Sequence, residues 1–279
     1  MMEFLLRDDS PFSSQQWNQM DEMVIKTARQ TLVGRKFLHI FGPLGAGAQS
    51  IPLDEYGEIP PGETSFFGDG EYASLKVNAR KFAEIPMIFQ DCIISWRDLE
   101  NGRQFGLPLD LSPLAGAAAV CSKKEDTLIF WGNKEMGLEG LAGAPDVKHL
   151  EKKNWLEGEN PFQDVAAAIK FFQECGMTGK VALTVSPDLF MQMQRIQPKT
   201  GILEIDRVKE LVGGNLFQTP VLGSNKAVLV CPEPQNMDLV VGQDMVTAYL
   251  GPEKLNHELR VLETALLRLK RKNAVVVME

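Results

Sequence analysis

The chain has 279 residues, of which 44% are hydrophobic and 24% are charged. These shares are ordinary for globular proteins and exclude a disordered, collagen-like or coiled-coil chain. The formal net charge is −8, and the one short basic run lies at 268–272. A protein with so little positive charge is not expected to bind nucleic acid.

The number and spacing of the cysteines and the N-terminal sequence indicate in which cellular compartment the protein resides. The 4 cysteines lie far apart without a CxxC pair, so we expect neither a disulfide framework nor a zinc site. The N-terminus lacks a basic region followed by an apolar one, and no stretch reaches the roughly 18 apolar residues of a membrane span. The sequence therefore predicts a cytoplasmic protein that has no membrane as a partner.

The first predicted element is an amphipathic helix over 15–33. Ser13 and Gln16 have the spacing of a capping box, and apolar residues then recur at three- and four-residue steps. Gly34 fits the end of this helix, and the alternation over 35–41 predicts a short strand. The apolar stripe predicts an arm that docks on another part of the molecule.

The next two segments have weaker patterns. Residues 42–72 are rich in Gly and Pro and are too long for an ordinary connection, which indicates a functional or extended segment. Residues 72–96 are richer in β-branched and aromatic side chains. They predict one or two strands, or a strand that leads into a short helix.

Two later helices have the same start signal. A helix over 113–131 follows Ser112 as the expected N-cap, and a helix over 161–175 follows Asn160. In each helix the first residue is proline, which favours that position because its ring presets the helical φ angle.

The C-terminal half predicts a mixture of strands and helices. A strand at 181–185 and a helix over 187–195 continue the alternation and indicate an α/β subdomain over about 133–235. The leucines of 259–270 fit both helical and two-residue spacing, and the residues alone favour a helix. Residues 275–277 predict a strand.

The sequence contains no recognisable catalytic or metal-binding motif. The glycine-rich segment at 42–47 lacks the Lys-Ser/Thr pair of a phosphate loop, and there is no G-x-S-x-G elbow. Asp91, Asp98 and Glu100 form either an acid/base group or an ordinary solvated and paired set. We therefore expect no catalytic residues, no metal and no cofactor. The three histidines lack metal-ligand spacing: His39, His149 and His257.

Several motifs in order resemble the encapsulins, the linocin-like shell proteins of bacterial and archaeal nanocompartments. The resemblance begins with the arm and with Gly34-Arg35-Lys36-Phe37 and Gly42-Pro43. It continues through Ile85-Pro86, Trp96-Arg97-Asp98-Leu99-Glu100, Ile129-Phe130-Trp131-Gly132 and Gly242-Gln243-Asp244 with Tyr249. Together these motifs cover nearly the whole chain.

The resemblance implies an α+β fold of the HK97 phage-capsid type. This fold has an N-terminal helical arm, a peripheral domain with a long spine helix, an extended loop and an axial domain. It also implies that 259–270 are strand and not helix. The implied boundaries are 1–41 for the arm and first strand, 42–80 for the extended loop, 81–132 and 236–279 for the peripheral domain, and 133–235 for the axial domain.

The resemblance further implies a shell subunit that is not an enzyme. Its partners would be copies of itself in an icosahedral assembly and a cargo protein held by a C-terminal targeting peptide. The arm pattern over 24–35 looks closest to shells with ferritin-like, iron-storing cargo. A peroxidase cargo, a phage major capsid protein and a stand-alone hydrolase or bacteriocin are the alternatives.

Two sets of residues match the family's functional positions. The cargo-peptide set could equally consist of ordinary docking contacts, and the pore loop could equally be a surface turn. The cargo-peptide set is Ile25, Leu32, Arg35, Phe37 and His39. The pore-loop set is Gln194, Arg195, Gln197, Lys199 and Thr200.

Overall fold

The computed structural model describes residues 3–56, 62, 64–68, 74, 76–197 and 201–279. The helices are α1 Ser14–Thr31, α2 Trp96–Phe105, α3 Ser112–Trp131, α4 Asn160–Glu174, α5 Pro187–Gln192 and α6 Glu204–Leu211. The strands are β1 Ile40–Phe41, β2 Ser50–Tyr56, β3 Val77–Glu84, β4 Met87–Ile94, β5 Gly132–Asn133, β6 Leu138–Glu139, β7 Lys148–Leu150, β8 Ala182–Val185, β9 Leu216–Gln218, β10 Ala227–Val230, β11 Met237–Val241, β12 Val246–Glu253, β13 Asn256–Leu269 and β14 Val275–Met278.

The first large sheet is organised around the long strand β13. The C-terminal part of β13 pairs antiparallel with β11, and β11 pairs parallel with β1. The N-terminal part of β13 lies between β12 and β4, both antiparallel to it. Helix α3 packs on β4 and β13 and also contacts α1. The spine helix therefore joins the arm to the sheet.

Strand β13 corrects the helix favoured by the residues alone. Leu259, Val261, Ala265 and Leu266 are all buried, so both faces of this strand are covered. A strand buried on both faces loses the simple alternation that identifies strands, which is why leucines at helical spacing gave a misleading signal. The strand implied by the family resemblance is confirmed.

The second large sheet has the order β7-β14-β10-β8-β9 and mixes parallel and antiparallel pairs. Strands β8, β10 and β14 are buried along their whole length. Strand β14 therefore lies in the same sheet as β8 and β10, whereas the predicted boundaries group it with 236–279.

The hairpin of β2 and β3 includes much of the predicted extended loop and continues past its predicted end at residue 80. Its strands pair antiparallel from Ser50 opposite Glu84 to Tyr56 opposite Val77. The segment predicted over 72–96 contains all of β3 and β4, and α2 begins at Trp96. Two strands followed by a short helix are therefore observed.

Helix starts and ends correct several local predictions. The capping box at Ser13 is confirmed, but Leu111 and Glu159, without side-chain caps, are the N-caps of α3 and α4. Helix α5 ends at Gln192 and does not reach residue 195. The starts of α3 and α4 shift by only one residue, because the following proline fixes each start.

The predicted strand over 35–41 is wrong for most of its length. Gly34–Lys36 form a 3-10 turn, and only Ile40–Phe41 pair as a strand. The Gly34 carbonyl accepts the N–H groups of Phe37 and Leu38, so the backbone turns before it extends. This turn directs the chain from α1 toward the first sheet.

Candidate functional site

Helix α1 presents a docked face and an open side. Its buried side chains contact α3 and β12, whereas Ile25, on the same helix, is 47% exposed. The buried residues are Trp17, Met20, Val24 and Ala28. The arm is therefore fixed to the domain and still offers an apolar position to a ligand.

The end of the arm is anchored by a buried carboxylate of α3. Asp126 accepts the N–H of Val33 at 2.9 Å and the N–H of Gly34 at 2.8 Å. A Cβ on residue 34 would lie 2.4 Å from Cδ1 of Ile129, so only glycine allows this close approach. The anchor holds the arm in one position relative to the spine helix.

Burial raises the pKa of Asp126 to about 6 from its ordinary value of 3.8, although the two N–H groups oppose this shift. The folded chain therefore binds more protons than the unfolded chain between about pH 4 and 6. Its free energy of unfolding falls as pH rises through this range, by about 3 kcal/mol in total from this group.

We expect Asp126→Asn to remove this pH dependence. The amide oxygen still accepts N–H groups but the side chain no longer titrates. The variant should therefore gain stability relative to wild type as the pH rises. The difference between its melting temperature and that of wild type should increase by about 5 °C or more between about pH 4 and 7. Differential scanning fluorimetry measures it. A difference that stays constant across this range would contradict the assignment.

Arg35 follows the anchor and binds three carboxylates. Its Nε lies 2.8 Å from Glu125, its Nη2 lies 2.7 Å from Glu263, and its Nη1 lies 2.7 Å from Asp244. The side chains of Glu125 and Glu263 are only 1% and 0% exposed, whereas that of Asp244 is 63% exposed. Burial and the nearby Glu125 raise the pKa of Glu263 well above its ordinary value.

A groove of about 390 Å³ lies beside the arm and is partly walled by this cluster. Ile25 and Leu32 contribute apolar surface from the arm side, and Arg35 joins them in the lining. The full lining is Ile25, Ala28, Arg29, Leu32, Arg35, Lys36, Asp244 and Met245. Three of the five predicted cargo-peptide residues are thus brought together here.

The other two predicted residues lie elsewhere. Phe37 packs into the core, with its ring centroid 5.8 Å from that of Phe217 and 6.3 Å from that of Phe130. His39 is exposed, and its carbonyl accepts the N–H of Leu239 next to β1. Because the turn at Gly34–Lys36 reverses the chain, residues after it leave the groove.

Sequence reasoning missed the far side of the groove. Asp244 and Met245 lie about two hundred positions beyond the arm and reach it only through the connection between β11 and β12. The resemblance includes Gly242-Gln243-Asp244, but no spacing rule links this motif to 25–35. Arg29 and Lys36 were also missed, although they flank predicted residues.

The predicted pore-loop residues have different environments. Arg195 donates to the carbonyls of Leu156 and Gly158, the latter at 2.7 Å. Gln197 is buried, and in the amide orientation that satisfies its surroundings its nitrogen donates to Glu204 Oε2 at 2.6 Å and to the carbonyl of Gly158 at 3.1 Å. Gln194 is exposed. The last two predicted residues, Lys199 and Thr200, lie outside the described residues.

Two of the three carboxylates considered for acid/base chemistry, Asp91 and Glu100, have ordinary partners, and Asp98 is exposed. Asp91 forms two hydrogen bonds with Arg260, at 2.6 and 2.7 Å, and this pairing lowers the pKa of Asp91. Glu100 pairs with Arg103 at 2.8 Å. Within the described ranges, no cluster of His, Cys, Asp or Glu suits a metal ion. Nor does any helix there have the length and apolar character to cross a membrane.

The chain exposes more surface than a compact monomer of its size. Its accessible area is 15452 Å², whereas a globular monomer of 31.0 kDa exposes about 12,000 Å². Several aromatic side chains contribute, above all Phe66 and Phe67, which are almost completely exposed. Such apolar surface is typical of chains that bury it against other subunits.

These features agree with the comparisons with known proteins. A family model described as "Encapsulating protein for peroxidase" matches residues 2–266. The chain belongs to this family of encapsulin shell proteins. Type 1 encapsulin shell protein EncA of Myxococcus xanthus (strain DK1622) is 41% identical over 279 residues, which are all of this chain and 97% of that protein.

A second relative and two solved structures extend the comparison. A diheme-cytochrome-encapsulin shell fusion protein of Kuenenia stuttgartiensis is 39% identical over 96% of this chain and 73% of its own length. The virus-like particle of Pyrococcus furiosus matches with a TM-score of 0.74 and 20% identity, over 95% of this chain and 99% of that chain. The capsid of Myoviridae Phage XM1 matches with a TM-score of 0.63 and 10% identity, over 88% and 90%. The predicted HK97-type fold is confirmed, and this encapsulin is the shell subunit of a capsid-like compartment.

Proposed function

We propose that this encapsulin closes into an icosahedral shell in the cytoplasm and holds a cargo protein by a peptide in the groove beside α1. The shell subunit itself does no chemistry in this proposal, and neither nucleic acid nor membrane is a partner. The groove is the observation that carries the proposal, because it is open, has apolar lining beside charged groups, and is bordered by an arm fixed to the spine helix.

The groove suits a short peptide with apolar anchors. Ile25, Ala28, Leu32 and Met245 supply apolar lining, and Arg29, Lys36 and Asp244 supply polar groups at its border. Burial of one large apolar side chain stabilises binding by about 1.5–3 kcal/mol, so two or three anchors give useful affinity. Many identical grooves inside one shell would add avidity for an oligomeric cargo.

We expect Ile25→Asp to abolish cargo loading while shells still form. The side chain is 47% exposed, so the substitution places a charge on the groove without emptying the core. Leu32 is buried and Phe37 packs against core rings, so changes there would test folding instead. The measurement is the amount of a co-expressed fluorescent protein in purified shells. Its probe tag is the C-terminal peptide of a ferritin-like protein, which is the class of cargo proposed below.

The matched control is Gln19→Asp, which adds the same charge at another exposed position of α1. This variant should load the fluorescent probe as wild type does, because Gln19 does not line the groove. Equal loading of wild-type and Ile25→Asp shells would refute the groove as the peptide site. Failure of wild-type shells to load the probe would refute the ferritin-like cargo.

The class of cargo is the finer part of the proposal. A ferritin-like-encapsulin shell fusion protein of Pyrococcus furiosus is 25% identical over 76% of this chain and supports an iron-storing cargo. The family description names a peroxidase, which is the second candidate. Particles purified from the native organism distinguish the two: iron mineral without haem supports the ferritin-like cargo, and haem without mineral supports the peroxidase.

The predicted pore remains part of the proposal. Gln194 is exposed near the end of α5 and is the described position best suited to line an opening. Arg195 donates to the carbonyls of Leu156 and Gly158, so its guanidinium also holds the segment after α5 against residues 156–158.

A further inference from the structure

Two buried carboxylates beside the groove, those of Glu125 and Glu263, share a single positive charge. One guanidinium, that of Arg35, contacts both Glu125 and Glu263, and neither carboxylate has appreciable contact with solvent. If both were ionised, this buried group would carry a net charge of −1, because among the described residues Arg35 is the cation that contacts the pair. An uncompensated buried charge costs several kcal/mol, so such groups usually take up a proton.

The hydrogen bonds identify where that proton belongs. Glu125 accepts from Arg35 with both oxygens, whereas Glu263 accepts only through Oε2. Oε1 of Glu263 is completely buried and has no hydrogen-bond donor among the described residues. Nη2 of Arg35 donates to both carboxylates, which places Glu125 beside Glu263. A proton on Oε1 would turn this atom from an unsatisfied acceptor into a donor that could be shared with Glu125.

We propose that Glu263 is a protonated positioning residue, which shares its proton with Glu125 and so holds Arg35 in the wall of the groove. This inference rests on the proposed function of the groove. Arg35 contacts the buried pair on one side and Asp244 on the other, and both Arg35 and Asp244 line the groove. The position of the guanidinium therefore sets the shape of that wall.

Loss of the proton would change this balance. Hydroxide would take the proton from Glu263 and leave two adjacent buried carboxylates, which repel one another and attract the guanidinium more strongly. Arg35 would then move inward and away from Asp244, and the groove would lose part of its wall. Because burial holds the pKa of Glu263 well above its ordinary value, cargo loading should weaken as the pH is raised.

The charged groups around Glu263 favour its protonated form. The charged and titratable groups around Glu263 are Arg35 from the turn after α1, Cys121 and Glu125 from α3, and Asp244 from the β11–β12 connection. Most of these groups are acids. They favour a neutral Glu263, and Arg35 is the cation in direct contact that opposes them.

The loading test compares wild type, Glu263→Gln and Glu135→Gln. Shells are reassembled at about pH 7 and pH 9 with the fluorescent probe described above, and probe per shell is measured. Wild type should load about tenfold less at the higher pH. Glu263→Gln, whose amide cannot lose a proton, should change less than about twofold. Glu135→Gln, an exposed control, should behave as wild type.

A second readout does not depend on cargo. The infrared spectrum of wild-type shells at about pH 7 should contain a protonated-carboxyl carbonyl band that Glu263→Gln lacks. Absence of this difference, or equal loading of wild type at both pH values, would overturn the inference and leave the proposed cargo function intact. A probe that never enters wild-type shells would count against the cargo function, while the infrared band would still decide the inference.

Discussion

Arg35→Met should lower the melting temperature by more than about 10 °C or prevent the recovery of soluble shells. The substitution removes the cation beside Glu125 and Glu263 and leaves a buried negative charge without a partner. Breaking a buried ion pair on one side costs about 3–5 kcal/mol. This is a large part of the 5–15 kcal/mol that stabilises a typical domain. Size-exclusion chromatography and scanning fluorimetry measure both effects.

The control for this prediction removes the charges together. Arg35→Met combined with Glu125→Gln and Glu263→Gln has no buried charge left at this place, so it should regain most of the lost stability. Arg35→Lys should be intermediate, because one ammonium group cannot reproduce the fork that reaches three carboxylates. Wild-type stability of Arg35→Met alone would show that the cluster does not need its cation.

The helices were the most predictable part of this fold. Helices α1, α3 and α4 are local structures, and the capping box at Ser13 or the proline at each later start identifies them from neighbouring residues alone. Strand β13 was not predictable in this way. Its identity depends on strands that pair along its edges and on packing such as that of α3 against the sheet, and several of these partners are distant in sequence.

The residues of the candidate site also differ in how far the sequence alone could predict them. Ile25, Leu32 and Arg35 were predictable because they lie on or next to one helix and within a family motif. The partners of Arg35 come from α3, from β13 and from the β11–β12 connection, so only the tertiary structure brings them together. No local signal marked Glu125 and Asp126, because they belong to a charged run with Lys123 and Lys124 near the end of α3, which is typical of a solvated face. Charges in such a place are seldom fully buried unless they are paired.

Phe66→Asp together with Phe67→Asp should stop shell assembly and leave folded, small species. Both rings are almost completely exposed in the isolated chain, in the part of the predicted extended loop that follows β2. Each ring that a neighbouring subunit covers stabilises the contact by about 1.5–3 kcal/mol. A closed shell repeats this contact at every subunit, so its loss acts on all of them at once.

The control and the measurements separate assembly from folding. Thr64→Asp adds a charge to the same exposed loop without removing an aromatic ring, so it should still form full-sized particles. The double variant should elute as monomers or small oligomers and keep wild-type circular dichroism, because neither ring packs in the core. Full-sized particles from the double variant, seen by electron microscopy at wild-type yield, would show that these aromatic side chains do not hold neighbouring subunits together.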